Sequence, residues 1–454
     1  MTVRIIGAGL AGCEAAWQLL RVGISVDLFE MRPDQMTPAH KTGSFAELVC
    51  SNSLGSADLA NATGLLKAEL KSLNSLVIAA AEHASLPAGG ALAVDHSHFS
   101  GFIEEQLRAY STLRVIRQEI KAIPEVSPHH PLLIASGPLT SEALATEIKK
   151  LSGEDGLSFF DAISPILTLE SIDQSQVFRG SRYGKGGGAD YINVPMDKEC
   201  YYRFVELLLG AEKFVHHLQD ELSPKEGLKP FEGCMPIEDM AERGIDSLLY
   251  GPLKPTGLIN PSSGKRPFAV LQLRQDDQAG GLWNMVGMQT RMKRPEQERI
   301  FRSLPGLERA EFARFGSVHR NTFINSPKLL DPHQQFKSKP GLFFAGQITG
   351  VEGYVESCAS GLAAGIQLAR LIQGQAPIVF PVQTAIGALL SYITDPVRED
   401  FQPMNINFGL MPSYLTRPVY GPNGKRLSKR ERRLQTSHEA LDEIRLISGQ
   451  LESF

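Results

Sequence analysis

The pattern of apolar and polar positions at the start of the chain predicts a strand, a glycine-rich turn, a helix and a second strand. Val3–Ile6 form a short apolar run, and Leu10–Leu20 carry apolar residues at helical spacing. Gly23 is placed to end this helix, because glycine readily takes the left-handed conformation that follows many helices. Ser25–Phe29 then supply the second strand. The order is that of a βαβ unit.

Further apolar segments extend this picture along the chain. The predicted helices are Leu65–Leu76, Phe99–Leu107, Cys200–Leu209 and Ser360–Leu371, and the predicted strands are Leu113–Ile123, Leu132–Pro138, Phe268–Leu273 and Gly341–Gly346. Proline- and glycine-rich connections mark residues 146–325 as different in character from the two ends. We therefore predict one discontinuous domain of residues 1–145 and 326–454, with an inserted α+β domain of residues 146–325.

Composition and charge narrow the class of protein. A chain of 454 residues with 42% hydrophobic and 21% charged residues is expected to fold around more than one core. The net charge of -4 does not indicate a nucleic-acid partner, although a local basic patch can still bind one. The pattern predicts no signal peptide and no membrane span. The five cysteines show no CxxC or zinc-like spacing, which favours free thiols, no metal site and a cytoplasmic location.

The turn Gly7-Ala8-Gly9-Leu10-Ala11-Gly12 follows a strand, opens a helix and precedes the acidic Glu30 at the end of the next strand. This is the context that a dinucleotide-binding fingerprint requires. Gly7 allows the tight turn, Gly9 lets the backbone approach a pyrophosphate, and Gly12 lets the helix pack closely. The helix N-terminus would face the phosphates, and Glu30 would accept hydrogen bonds from a ribose hydroxyl.

A second glycine-rich junction lies near the other end of the chain, at Ala345–Gly350 with Gly346 and Gln347. Two such junctions, together with the strand that stops at Ser136–Pro138, favour one large cofactor, FAD, over NAD. The predicted fold class is therefore α/β, a Rossmann-like two-dinucleotide FAD-binding fold with an inserted α+β domain.

Several segments outside the fingerprint resemble one family, the folate- and FAD-dependent tRNA uracil-C5-methyltransferases TrmFO. The resemblance runs to about residue 435 and rests on Phe45–Leu54, Tyr183–Gly188, Phe231–Glu238, His319–Phe323 and Val351–Ser357. It implies that 5,10-methylenetetrahydrofolate supplies a carbon and reduced FAD a hydride, so that a T-loop uridine (uracil-54) of tRNA becomes 5-methyluridine. It also implies that NADH or NADPH acts as a transient reductant, and we expect no stable protein partner.

Methylation of uracil C5 requires a nucleophile and a base. Uracil C5 becomes nucleophilic when a thiolate adds to C6, and the C5 proton must later be removed. By resemblance, Cys234 is expected to be the nucleophile and Cys50 the proton acceptor, with the reverse assignment left open. Cys13, Cys358 and Cys200 are expected to be structural, since an ordinary cysteine behaves as a small buried hydrophobe.

Two further sets of residues are candidates for binding. By resemblance, His319 is expected to stack on the pterin of folate. The densest basic cluster of the chain is predicted either to contact tRNA phosphates or to form a solvated helix face, and its members are Lys425, Arg426, Lys429, Arg430, Arg432 and Arg433.

Other functions stay open at this point. The same chemistry on a 23S rRNA uridine and a non-catalytic flavin-containing RNA-binding factor are the main alternatives. An MnmG-like modification of the wobble uridine is disfavoured, because that related family is longer and carries a C-terminal helical domain. A disulfide reductase is disfavoured by the missing CxxC motif.

Overall fold

The computed structural model describes residues 1–153, 157–214, 235–398, 401–421 and 425–452. The strands are β1 (Thr2–Ile6), β2 (Ser25–Glu30), β3 (Ser53–Ser56), β4 (Ser85–Leu86), β5 (Ala91–Val94), β6 (Leu113–Arg117), β7 (Leu132–Ile134), β8 (Leu157–Ile163), β9 (Ile166–Thr168), β10 (Phe178–Arg179), β11 (Tyr191–Met196), β12 (Ala269–Gln275), β13 (Leu282–Met285), β14 (Phe312–Arg314), β15 (Ser317–Phe323) and β16 (Leu342–Phe344).

The helices alternate with these strands in the first third of the chain and dominate its last quarter. They are α1 (Leu10–Arg21), α2 (Ala62–Ser72), α3 (Leu76–His83), α4 (His96–Arg108), α5 (Glu142–Ser152), α6 (Lys198–Leu209), α7 (Ile237–Glu242), α8 (Ser247–Tyr250), α9 (Arg294–Phe301), α10 (Ser326–Leu329), α11 (Tyr354–Ile372), α12 (Ala385–Thr394), α13 (Pro412–Leu415) and α14 (Lys429–Glu452).

A five-stranded parallel sheet in the order β16-β7-β1-β2-β6 carries both ends of the chain. Because parallel strands direct their carboxyl ends to one edge, the turns after β1, β7 and β16 come together there. Helices α1 and α11 pack against each other, and glycines make this possible: a Cβ on Gly361 would lie 2.2 Å from Ala11 O. The predicted α/β class is confirmed.

A second body of structure is built on a six-stranded antiparallel sheet in the order β10-β11-β12-β13-β9-β14. Its core contains the buried aromatic residues Tyr201, Phe204, Trp283 and Phe301. The chain enters and leaves this region through the antiparallel ribbon of β8 and β15, which pairs Leu157 with Phe323. The predicted boundary at residues 145 and 146 falls inside α5, and both predicted domain boundaries stay predictions.

Several elements differ from the sequence-based expectation, among them the strand predicted over Leu132–Pro138, which ends at Ile134. The helix predicted over Leu65–Leu76 is two helices, because Asn74 takes a φ of 57° and Ser75 caps α3 by accepting a hydrogen bond from Ile78 N. The strand predicted over Leu113–Ile123 ends at Arg117. The helix predicted from Ser360 begins earlier along the chain, at Tyr354.

Among the described residues, no helix combines the length and the apolar character needed to cross a lipid bilayer. In the same part of the chain, no group of three or more His, Cys, Asp and Glu side chains is arranged to hold a metal ion.

Candidate FAD and substrate clefts

The turn between β1 and α1 requires glycine at two positions and leaves space at a third. Gly7 has a φ of 102°, and a Cβ there would lie 2.5 Å from Ala135 O. A Cβ on Gly12 would lie 1.8 Å from Gly7 O, so any side chain would break the turn itself. Around Gly9, by contrast, a Cβ would meet no atom within 4 Å. The open space at Gly9 is where the backbone can approach a pyrophosphate.

Glu30 is tied into a buried network that the sequence did not reveal. Its Oε2 accepts from Ala8 N at 2.9 Å and from Arg32 Nη2 at 3.2 Å, and its Oε1 accepts from Arg32 N at 3.0 Å and Nε at 2.9 Å. Arg32 also pairs with Glu47 at 3.1 Å. A ribose hydroxyl would have to compete with these donors for the lone pairs of the Glu30 carboxylate. The contact between Glu30 and a ribose therefore stays a prediction.

The Glu30 carboxyl is held in its charged form. Burial raises its pKa, but the hydrogen bonds and the charge of Arg32 outweigh this, and the net pKa is lowered from the ordinary 4.5. Since the folded-state pKa is depressed, the stabilisation is present above about pH 4.5 and is lost as pH falls through the folded pKa. In the sequence, the pairing of Arg32 with Glu30 is indicated by the position of Arg32 two residues after Glu30.

Replacement of Arg32 by lysine is expected to lower the free energy of unfolding by about 2 kcal/mol, because lysine keeps the charge but loses the planar set of donors. Chemical denaturation of the apoprotein measures this. Arg114→Lys is the matched control, since Arg114 pairs with Asp27 at 2.6 Å but is 70% exposed, and its expected loss is much smaller because solvent screens an exposed ion pair. Equal losses in both variants would contradict the interpretation.

The second glycine-rich turn meets the first. Gly346 follows β16 with a φ of 81°, and a Cβ there would lie 2.8 Å from Ala11 Cβ. Gln347 donates from Nε2 to Glu352 Oε2 at 2.7 Å, which orients its amide. The glycines that bring α11 onto α1 were not identified from the sequence, although the small-residue run Ser360–Gly365 was the available signal.

These turns border a cleft of about 1000 Å³ that is open to solvent, here called the FAD cleft. Of the nine residues predicted to bind the cofactor, Gly7, Gly9, Leu10, Ala11, Glu30, Gly346 and Gln347 line it. Ala8 and Gly12 do not line the cleft, although both belong to the turn between β1 and α1. An acidic residue at one end, a phosphate-binding turn in the middle and a second turn at the far end fit an extended dinucleotide such as FAD.

A second cleft of about 1120 Å³, here called the substrate cleft, adjoins the FAD cleft. The two clefts share five lining residues, Val49, Pro138, Leu139, Gln347 and Tyr354. Cys50 lines the substrate cleft. The shared wall lies at the end of the FAD cleft that carries Gln347 rather than at the Glu30 end, so the substrate cleft adjoins the position expected for a flavin ring.

The main chain around Cys50 is fixed from two sides. The Tyr354 hydroxyl accepts from Cys50 N at 2.7 Å and from Ser51 N at 3.3 Å. Arg314 donates from Nη2 to Cys50 O at 2.7 Å. Burial, and next the nearby Cys50, raise the pKa of Tyr354, so the phenol stays neutral. Cys50 Sγ lies 4.0 Å from Ala162 O, the longest distance at which a thiol still makes a weak hydrogen bond.

The other described cysteines lie in different surroundings. Cys13 donates to Ala8 O at 3.3 Å, and Cys358 lies 3.4 Å from Glu14 Oε2; burial raises the pKa of both thiols. Burial also raises the pKa of Cys200 at the start of α6. Thiols that stay protonated are poor nucleophiles, which agrees with structural roles.

Of two further predicted site residues, the structure describes only the backbone of one. Cys234 lies outside the described residues. His319 belongs to β15, where its backbone pairs with Asp161 of β8, and it stands two residues before Asn321, which lines the substrate cleft.

The basic cluster divides into two groups. Arg430 pairs with Asp58 at 2.6 Å, Arg432 lies over the Tyr414 ring, and Arg433 lies over the Phe408 ring, so these three help to hold α14 against the rest of the protein. Lys425, Arg426 and Lys429 are exposed. The structure therefore leaves this second group accessible to a partner.

Comparison with known proteins places the chain in a family. Residues 2–376 match the family profile described as glucose inhibited division protein A. A methylenetetrahydrofolate–tRNA-(uracil-5-)-methyltransferase TrmFO of Heliobacterium modesticaldum is 56% identical over 96% of this chain and 97% of its own length. The protein of the same name from Listeria innocua is 53% identical over 99% of both chains.

Solved structures agree on the fold. GidA of Aquifex aeolicus, in its form II crystal, superposes with a TM-score of 0.68 at 16% identity, covering 99% of this chain and 73% of that one. At this identity the likeness concerns the fold, and it matches the FAD-binding architecture described above. On the identity and coverage of its relatives, the chain belongs to the TrmFO family.

Proposed function

We propose that this protein transfers the methylene carbon of methylenetetrahydrofolate to C5 of a uridine in tRNA and reduces it to a methyl group. The observation that carries the proposal is the wall that the FAD cleft shares with the substrate cleft, which Cys50 lines. When bound, FAD supplies the hydride for this reduction. The names of the relatives supply the substrate classes, and the joined clefts supply a place where the reactants can meet.

We propose that Cys50 accepts the C5 proton and that Cys234 adds to C6. The main chain of Cys50 is fixed by Tyr354 and Arg314, and a thiol carried on a fixed main chain suits proton transfer over a short distance. The role of Cys234 rests on the family motif Phe231–Glu238. The reverse assignment makes a different prediction for a trapping experiment, which is described in the Discussion.

The remaining features of the reaction follow the family pattern. We propose a T-loop uridine as the target, His319 as the residue that stacks on the pterin, and NADH or NADPH as the reductant of the flavin. A cytoplasmic location agrees with these substrates. Folate and reductant would both have to reach the flavin end of the FAD cleft, and the substrate cleft adjoins that end.

The source of the carbon tests the proposal. Purified protein with tRNA that lacks 5-methyluridine is expected to incorporate isotope from labelled methylenetetrahydrofolate and none from labelled S-adenosylmethionine. Incorporation from S-adenosylmethionine would reject the proposal. Because a non-catalytic RNA-binding factor would incorporate neither label, the experiment separates the enzyme from that alternative as well.

Mapping of the modified nucleotide tests the target. RNA from a strain that lacks the gene is expected to lose 5-methyluridine in the T loop of tRNA and to keep the modifications of 23S rRNA. Loss from 23S rRNA alone would keep the chemistry but replace tRNA as the substrate.

We propose that Arg426 and Lys429 contact tRNA phosphates, because both are exposed on the basic surface of α14 and the preceding segment. Replacing either by alanine should reduce the slope of log affinity against log salt by about 1. Arg445→Ala is the control, because Arg445 lies on the same helix but pairs with Asp442. An unchanged slope in both test variants would remove this surface from the RNA interface.

A further inference from the structure

A buried carboxyl group forms part of the wall of the substrate cleft. Glu356, in the first turn of α11, lines this cleft together with Cys50 while remaining only 3% exposed. Its Oε1 accepts a hydrogen bond from Ile406 N at 3.1 Å, and the Asn405 side chain also donates to the carboxyl. The group is thus held firmly from the side of residues 405 and 406.

The neighbouring Gly353 makes room for the carboxyl at the wall of the cleft. Gly353 lines the cleft with a φ of 111°, and a Cβ there would lie 2.3 Å from Glu356 Oε2 and 3.0 Å from Asn405 Nδ2. Any side chain at this position would displace Oε2. The missing side chain therefore lets Oε2 lie against the main chain of Gly353 at the wall of the cleft.

Burial and the nearby charge of Lys67 set the pKa of the Glu356 carboxyl near neutral pH. Burial raises its pKa from 4.5 to about 7, and the charge of Lys67 on α2 partly opposes this. Lys67 is itself buried and donates to Leu54 O at 2.7 Å. The other titratable groups that line the cleft are Cys50, Glu352 and Tyr354. Near neutral pH, the neutral carboxylic acid is thus available as a hydrogen-bond donor.

The chemistry of the uracil ring provides a role for this hydrogen-bond donor. When a thiolate adds to C6, the new S–C6 bond forms, the C5=C6 electron pair moves, and negative charge develops on O4. A fixed donor directed at such an oxyanion stabilises it, and a carboxylic acid that stays neutral can be that donor. The proton remains on the carboxyl, so no further reactant is needed.

We propose that Glu356 is a catalytic residue that donates a hydrogen bond to O4 of the target uracil as the thiolate adds to C6. This inference rests on the proposed function. It assigns the C6 addition step, which precedes the transfer of carbon and hydride. Without folate, a proton from water adds to C5 of the enolate and completes the covalent adduct, so this step can be tested without folate.

The test is the rate at which the flavin-loaded protein forms a covalent adduct with a T-arm RNA that carries 5-fluorouridine. Glu356→Ala is expected to slow adduct formation about a hundredfold at pH 6. Glu356→Gln keeps a donor that does not titrate, so the ratio of the wild-type rate to the Glu356→Gln rate should fall as pH rises through about 7. Using this ratio cancels the ionisation of the attacking thiol.

Glu69→Gln is the matched control. Glu69 is also buried, with a pKa raised to about 8, and it accepts from Ala385 N and Ile386 N, but it lines neither cleft. Its rate should equal that of the wild type at every pH. A constant ratio for Glu356→Gln across this pH range, or a Glu356→Ala rate equal to the wild type, would overturn the inference. No adduct with the wild-type protein would overturn the proposed function, and this inference with it.

Discussion

Replacement of Cys50 by alanine is expected to lower the rate of tRNA methylation about a thousandfold, because the C5 proton then has no fixed acceptor. The fold should persist, since the contacts of this segment with Tyr354 and Arg314 use the main chain of Cys50 and not its thiol. Methylation is measured by isotope transfer from labelled methylenetetrahydrofolate, with FAD content determined on the same sample. Cys200→Ala is the control, because Cys200 lines neither cleft.

The same variant decides between the two assignments of the thiols. If Cys50 is the proton acceptor, Cys50→Ala should still form the covalent adduct with 5-fluorouridine RNA, whereas Cys234→Ala should not. If Cys50 is the nucleophile, Cys50→Ala should form no adduct, and Cys234→Ala should still form one. A Cys50→Ala protein that methylates tRNA at the wild-type rate would remove this thiol from the reaction altogether.

Replacement of Gly9 by valine is expected to weaken FAD binding at least about a thousandfold, equivalent to about 4 kcal/mol. The new side chain would occupy the space through which the backbone approaches the pyrophosphate. The apoprotein should keep its thermal stability, because a Cβ at Gly9 meets no protein atom within 4 Å. Titration of the apoprotein with FAD, followed by flavin fluorescence, measures the affinity.

Two other glycines make this prediction specific. Gly101 on the exposed face of α4 also has open space around a Cβ, so Gly101→Val should bind FAD normally. A Cβ at Gly12 would lie 1.8 Å from Gly7 O, so Gly12→Ala should lower both the thermal stability and the affinity for FAD. Normal FAD affinity in Gly9→Val would show that the cofactor does not use this turn.

Local sequence was sufficient for the elements whose signals are local. The strand, turn and helix at Thr2–Arg21 could be predicted because the glycine spacing, the apolar period and the acidic end of β2 all agree. The break between α2 and α3 was missed because the apolar spacing continues across it. The break depends on the left-handed backbone of Asn74 and on the cap at Ser75, which are weaker signals than hydrophobic period.

The site itself depends on contacts between distant parts of the chain. Cys50, Asn321, Tyr354 and Asn405 line one cleft although hundreds of residues separate the first from the last. No period or spacing encodes such a meeting, and family resemblance alone pointed to Cys50. The roles inferred for Arg32 and Glu356 likewise follow from burial and from hydrogen-bond partners, which become visible only when the chain is folded.

The joining of the FAD and substrate clefts is the central claim, and a single-turnover experiment without oxygen tests it most directly. Holoprotein with fully reduced flavin is mixed with tRNA and methylenetetrahydrofolate, and flavin absorbance and methylated tRNA are followed together. We predict that one flavin is oxidised for each methyl group formed, and that omission of either substrate prevents the oxidation. Methylated tRNA formed while the flavin stays reduced would contradict the account.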